Sequence, residues 1–166
     1  MTPKQKFLFE KSQKFMPEVR SILGRYILRS STLEEDRTQA TDLVLEAKSL
    51  RIAVRMRDSK YANFANEFTI RATAGGGSLT EFQKIMAGHA DWLFYGFETI
   101  NGKINPWYIL DLSVFRTTVR DAMSGLITVG IKDINNNDGS AFKAFQINTF
   151  PPSFVIASSD IEKGRE

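Results

Sequence analysis

The chain has 166 residues, 42% hydrophobic and 25% charged, which is the composition of an ordinary globular domain built on one core. Its net charge of +3 and pI of about 9.2 permit a polyanionic partner without requiring one. Cysteine is absent and histidine occurs once, so a disulfide framework, a thiolate metal site, a thiol nucleophile and a multi-histidine zinc site are all excluded.

The N-terminal run Met1-Thr2-Pro3-Lys4-Gln5-Lys6 is basic, but Glu10, Lys11 and Lys14 interrupt the apolar residues after it. It does not read as a signal peptide, and no apolar run approaches the ~20 residues of a membrane span, so the expected location is the cytoplasm. Thr2 before Pro3 predicts a helix reaching about Phe15. Pro17 predicts the start of a second helix, with Val19, Ile22, Leu23, Tyr26 and Ile27 on its buried face. Thr32-Leu33-Glu34-Glu35 fits a capping box and predicts a further helical turn. The period then changes. Thr41 to Glu46 reads as a strand, Lys48-Ser49-Leu50 as a turn, and Arg51 to Arg57 as a strand in which Ile52, Val54 and Met56 alternate with Ala53, Arg55 and Arg57. Asn66 to Arg71 alternates in the same way.

Gly75-Gly76-Gly77 breaks the chain. Ser78-Leu79-Thr80-Glu81 then predicts a helix opened by a capping box, with Leu79, Phe82, Ile85 and Met86 buried and Gly88 at its end. Asp91 to Phe97 predicts a strand, joined through the hairpin signal Asn101-Gly102 to a strand around Trp107-Tyr108-Ile109-Leu110. Leu112 to Met123 predicts a helix, while Leu126 to Ile131 and Ala141 to Ile147 predict strands around the turn-rich Asn135 to Ser140. The polar end from Ser158 reads as a tail, leaving residues 1 to 157 as one α+β domain.

The short links among the first three strands predict an antiparallel meander. A hairpin turning near Lys48 and Ser49 would place Asp42 opposite Arg55 and Glu46 opposite Arg51, so one face would carry Asp42, Glu46, Arg51, Arg55 and Arg57. A third strand in phase would add Glu67, Thr69 and Arg71 to it. Carboxylates beside arginines suit phosphodiester chemistry. Carboxylates hold Mg²⁺ through oxygen, and guanidinium groups fork onto phosphate. The same set also reads as a solvated face of cross-strand ion pairs, each contributing at most ~1 kcal/mol.

Helix, three-strand meander, helix, strand over residues 17 to 98 resembles the core of the PD-(D/E)XK nuclease superfamily, which includes restriction endonucleases and Holliday junction resolvases. In that family an acid opens a central strand and the neighbouring strand carries acid, any residue, lysine, which together bind Mg²⁺ or Mn²⁺ and activate water. One mapping takes Asp36 with Glu46-Ala47-Lys48. The preferred one takes Asp42, with Ala53-Val54-Arg55 standing where acid-x-lysine is expected and Glu81 and Lys84 on the following helix supplying the missing groups. The segments Thr41-Asp42-Leu43, Ala53-Val54-Arg55-Met56-Arg57, Glu67-Phe68-Thr69-Ile70-Arg71 and Thr80-Glu81-Phe82-Gln83-Lys84-Ile85 are similar to small phage and prophage nuclease-like proteins.

The resemblance implies a divalent-metal-dependent nuclease hydrolysing DNA, branched or single-stranded substrates included. In it Asp42 binds metal with Asp36 or Glu81, Arg55 or Lys84 positions water or offsets phosphate charge, and Arg57 and Arg71 hold the backbone. It also implies a bacterial or phage-infected cytoplasm and, as in many such nucleases, a homodimer. The missing acid implies an alternative, a non-catalytic nucleic-acid-binding or assembly protein on the same scaffold. A protein-interaction module is the third reading.

Other candidates read more simply. Glu81 fits a capping-box residue, Lys84 a solvated lysine and His89 a structural histidine. The Gly75 to Ser78 run lacks the lysine-serine/threonine ending of a P-loop, and the Asn135 to Ser140 loop lacks calcium-loop ligands. Trp92, Phe94, Tyr95, Phe97, Trp107 and Tyr108 read as core before base-stacking groups.

Overall fold

The computed structural model describes residues 3–30, 32, 43–45, 50–73 and 79–160. The chain forms two compact units, Met1–Leu50 and Arg51–Glu166. No helix among the described residues is long and apolar enough to cross a membrane.

The first unit opens with α1 (Pro3–Gln13) and α2 (Met16–Ile27), the second helix started by Pro17 at its first turn. Val19, Ile22 and Leu23 are buried, as their helical spacing requires. Two short strands follow, β1 (Leu28–Ser30) and β2 (Leu43–Leu45), paired antiparallel with Leu28 opposite Leu45 and Ser30 opposite Leu43. The expected capping box at Thr32 to Glu35, the Lys48-Ser49 turn and the triglycine lie partly or wholly outside the described residues.

The second unit holds a four-stranded and a three-stranded sheet. The first has the order β3 (Ile52–Arg57), β5 (Trp92–Glu98), β6 (Ile104–Asp111), β9 (Val155–Ser158). The second has the order β4 (Glu67–Arg71), β8 (Ala141–Gln146), β7 (Ile131–Asn135), antiparallel throughout. Among its described residues two α-helices complete it, α3 (Glu81–Met86) and α4 (Leu112–Met123). The class is α+β, as the mixture of periods predicts.

The meander does not form. β2 pairs with β1, β3 pairs parallel with β5, and β4 joins the other sheet. The physical reason lies in β5. Its residues Leu93, Phe94, Tyr95, Gly96 and Phe97 are buried on both faces, so it is a central strand needing a neighbour on each side. The Asn101-Gly102 hairpin supplies β6 on one side, with Gly102 at φ 71°. β3 supplies the other, and the parallel pairing is made possible by the long connection through β4 and α3. The assumed hairpin register between Asp42 and Arg55 is thereby replaced by Arg55 opposite Tyr95.

One core joins both sheets and both helices of this unit. Phe68 of β4 lies within 5.1 to 6.2 Å, ring centre to ring centre, of Tyr95, Phe115, Phe145, Phe150 and Phe154. Burying each such ring contributes about 1.5–3 kcal/mol, which outweighs any one cross-strand pair and explains why β4 follows Phe145 of β8.

Two further expectations shift. The strand expected at Leu126 to Ile131 instead starts at Ile131, because Gly125 turns the chain at φ 76° and Leu126 is exposed. Ser158, expected in the tail, is the buried end of β9 opposite Tyr108.

Candidate nucleic-acid interface

β3 is the edge strand of its sheet, and its two faces differ in kind. Ala53, Arg55 and Arg57 stand opposite Leu93, Tyr95 and Phe97, so the arginines lie at the margin of the core-bearing face. This reverses the expected polarity, in which Ile52, Val54 and Met56 alone faced the core. Arg55 is largely covered, with its side chain 18% exposed.

A charge so placed needs a partner, and Glu81 supplies it. Arg55 Nη1 donates to Glu81 Oε2 in a short ion pair. The same oxygen accepts the backbone N–H of Arg71 at 2.9 Å. Glu81 thus ties β3 of one sheet to β4 of the other. It is free to do so because the capping box belongs to its neighbours: Thr80 Oγ1 accepts Gln83 N–H at 3.0 Å, and Gln83 Oε1 accepts Thr80 N–H at 2.9 Å. The capping-box reading of Glu81 is therefore corrected: the box lies two positions further on, at Thr80 and Gln83, and Glu81 is the first helical residue.

Phe142 of β8 stands directly opposite Arg71. The guanidinium carbons of Arg55 and Arg71 lie 5.4 and 5.7 Å from its ring centre. Arg57 lies 4.1 Å from the ring centre of Tyr61, in the 3-10 segment Ser59–Phe64 that follows β3. Aromatic faces fix a guanidinium by its plane and leave its N–H edges free to donate. Neither Arg57 nor Arg71 has a carboxylate within ion-pair distance among the described residues. The positive charge of Arg57 and Arg71 is therefore not offset by an ion pair among the described residues.

Of the residues singled out from sequence, Arg55, Glu81 and Arg71 meet, and Arg57 shares the face of Arg55. Lys84 is exposed, and its side chain makes no hydrogen bond or ion pair among the described residues. His89 is exposed too. Asp36, Asp42, Glu46 and Lys48 lie outside the described residues. Phe94, Tyr95, Phe97, Trp107 and Tyr108 are buried, the core role their sequence context favours.

Mg²⁺ or Mn²⁺ requires several oxygen ligands with charge left to offset it. Among the described residues no group of three acidic or histidine side chains could hold a metal ion, and the charge of Glu81 is already opposed by Arg55. The described donor set does not fit the ion.

Sequence reasoning missed Phe142 and Tyr61 as supports for the arginines. Phe142 had no sequence signal, because its place opposite Arg71 depends on the β4–β8 register, whereas the spacing Arg57-x-x-x-Tyr61 was a signal for the second. It also missed Asp91, which sits at the other end of β3. Arg51 donates to it from Nε at 3.1 Å, Nη2 at 3.0 Å and the backbone N–H at 2.9 Å. The side-chain and backbone donors of Arg51 hold the Asp91 carboxyl down at about 2. Comparison with protein-family models, curated proteins and solved structures finds no match.

Proposed function

We propose that this protein binds nucleic acid through the phosphodiester backbone, with Arg57 and Arg71 as the contacting cations and the Arg55–Glu81 pair as their fixed support. One observation carries the reading. In a chain of 22 basic and 19 acidic residues, two arginines, one on β3 and one on β4, are held by aromatic rings with no carboxylate partner among the described residues. Guanidinium groups so fixed match the geometry of phosphate oxygens.

A second reading is a divalent-metal-dependent nuclease on a restriction-endonuclease-like scaffold. Its support is the meeting of Arg55 and Glu81, two residues that the resemblance implicates, one from a strand and one from the following helix. The acids it still needs, Asp42 and Asp36, precede the second unit in the chain.

One experiment separates the two. Labelled single-stranded, duplex and branched DNA are titrated with the wild type and with Arg57→Ala/Arg71→Ala, in Mg²⁺, Mn²⁺ and EDTA. Binding in EDTA that weakens with salt, and whose salt slope falls by about one for each arginine removed, supports the first reading. Metal-dependent cutting lost in Asp42→Ala establishes the second. Absence of binding by the wild type at about 50 mM salt refutes both.

A further inference from the structure

The 3-10 segment Ser59–Phe64 combines charge and aromatic surface differently from the rest of the unit. Phe64 at its end is 57% exposed, whereas Phe68, Phe94, Phe97, Phe115, Phe145 and Phe154 are wholly buried. A lone exposed phenylalanine is unremarked on most surfaces. This one has particular neighbours. Lys60 is exposed with its ammonium 5.1 Å from the ring centre of Tyr61, and the Arg57 guanidinium lies 4.1 Å from the same ring. Tyr61 is half-buried and packs against the core beneath these two cations, and Phe64 three residues on stands exposed. The segment from Arg57 to Phe64 thus carries two cations and two rings. Its only acid is Asp58, at the position preceding the helix.

We infer that this segment is a stacking platform for an unpaired base, and that the strand the protein takes is single-stranded nucleic acid. The inference rests on the backbone-binding reading above and adds the substrate class to it. A duplex keeps its base faces stacked on one another and offers a protein only edges and phosphates. An unpaired strand offers faces, and every base has one, so a ring beside cations captures it without reading sequence. The charge of Arg57 and Lys60 suits a polyanion, and Arg57 belongs to both the platform and the backbone-contacting pair of arginines. A strand with a base against Phe64 and phosphates against Arg57 and Lys60 uses each of these groups.

The test uses the full chain with a mixed-sequence single-stranded oligonucleotide and the duplex of the same sequence, in EDTA. The wild type binds the single strand more tightly. Phe64→Ala weakens single-strand binding roughly five-fold or more and leaves duplex binding and the salt slope unchanged. Phe64→Trp restores affinity, and its added fluorescence is quenched as the strand binds. The exposure of Phe64 predicts an unchanged thermal midpoint for both variants, which confirms the fold. Phe64→Ala binding the single strand as well as the wild type, or a wild-type preference for duplex, overturns the platform while the backbone reading stands. Absence of any binding by the wild type overturns both together.

Discussion

Glu81 accepts a guanidinium and a backbone N–H on one oxygen, and those donors come from strands in different sheets. Glu81→Ala leaves both without an acceptor. It should lower unfolding free energy by about 1–3 kcal/mol in urea denaturation, with Glu81→Gln losing less because its carbonyl still accepts the Arg71 N–H. Asp91 makes a pH prediction. Its folded carboxyl lies at about 2 against an ordinary 3.8, so its contribution is complete above the ordinary value and disappears as pH falls from 3.8 through about 2. Over that window the thermal midpoint of the wild type should fall further than that of Asp91→Asn. An equal fall in both proteins removes Asp91 from the account. Arg55 and Glu81 were each legible as candidates at this scale, but their pairing was not, because the expected partner of Arg55 was Asp42 across a hairpin. Asp91 was not, because its partner is 40 positions away and nothing local marks a carboxylate for a distant guanidinium.

Elements were more legible than their partners. Alternation located β3 and β4 to within a residue, and the apolar spacing of Val114, Phe115, Val119 and Met123 located α4, although Met123 is exposed and Leu112 is buried in its place. Alternation says that one side of a strand is buried and never against what, so the pairing of β3 with β5 and the departure of β4 to β8 had no local signature. Gly96 in β5 illustrates a constraint visible only after pairing. A Cβ there would lie 2.7 Å from Ile104 Cγ2 and 3.1 Å from Met56 Sδ, on the strands either side. Gly96→Ala should cost roughly 1–3 kcal/mol, read as a lower denaturation midpoint at constant slope. A wild-type midpoint would show that Ile104 and Met56 shift without strain.

At the scale of the whole molecule, the mixture of helical and strand periods indicated an α+β protein, which the structure is, and the chain carries a mild positive balance. Where the arginines lie follows from β3 being a sheet edge and from Glu81 joining it to Arg71 of β4, which is a matter of topology. The same topology orders assembly in time. The β5–β6 hairpin closes over the five residues 99–103, whereas β3 must wait for the 34 residues 58–91 to be made and folded back before its parallel partner is in reach. Short closures are fast and long ones slow. The aromatic hairpin therefore forms early, and the arginine-bearing edge strand docks late. The surface proposed for nucleic acid is among the last parts of its unit to exist during refolding.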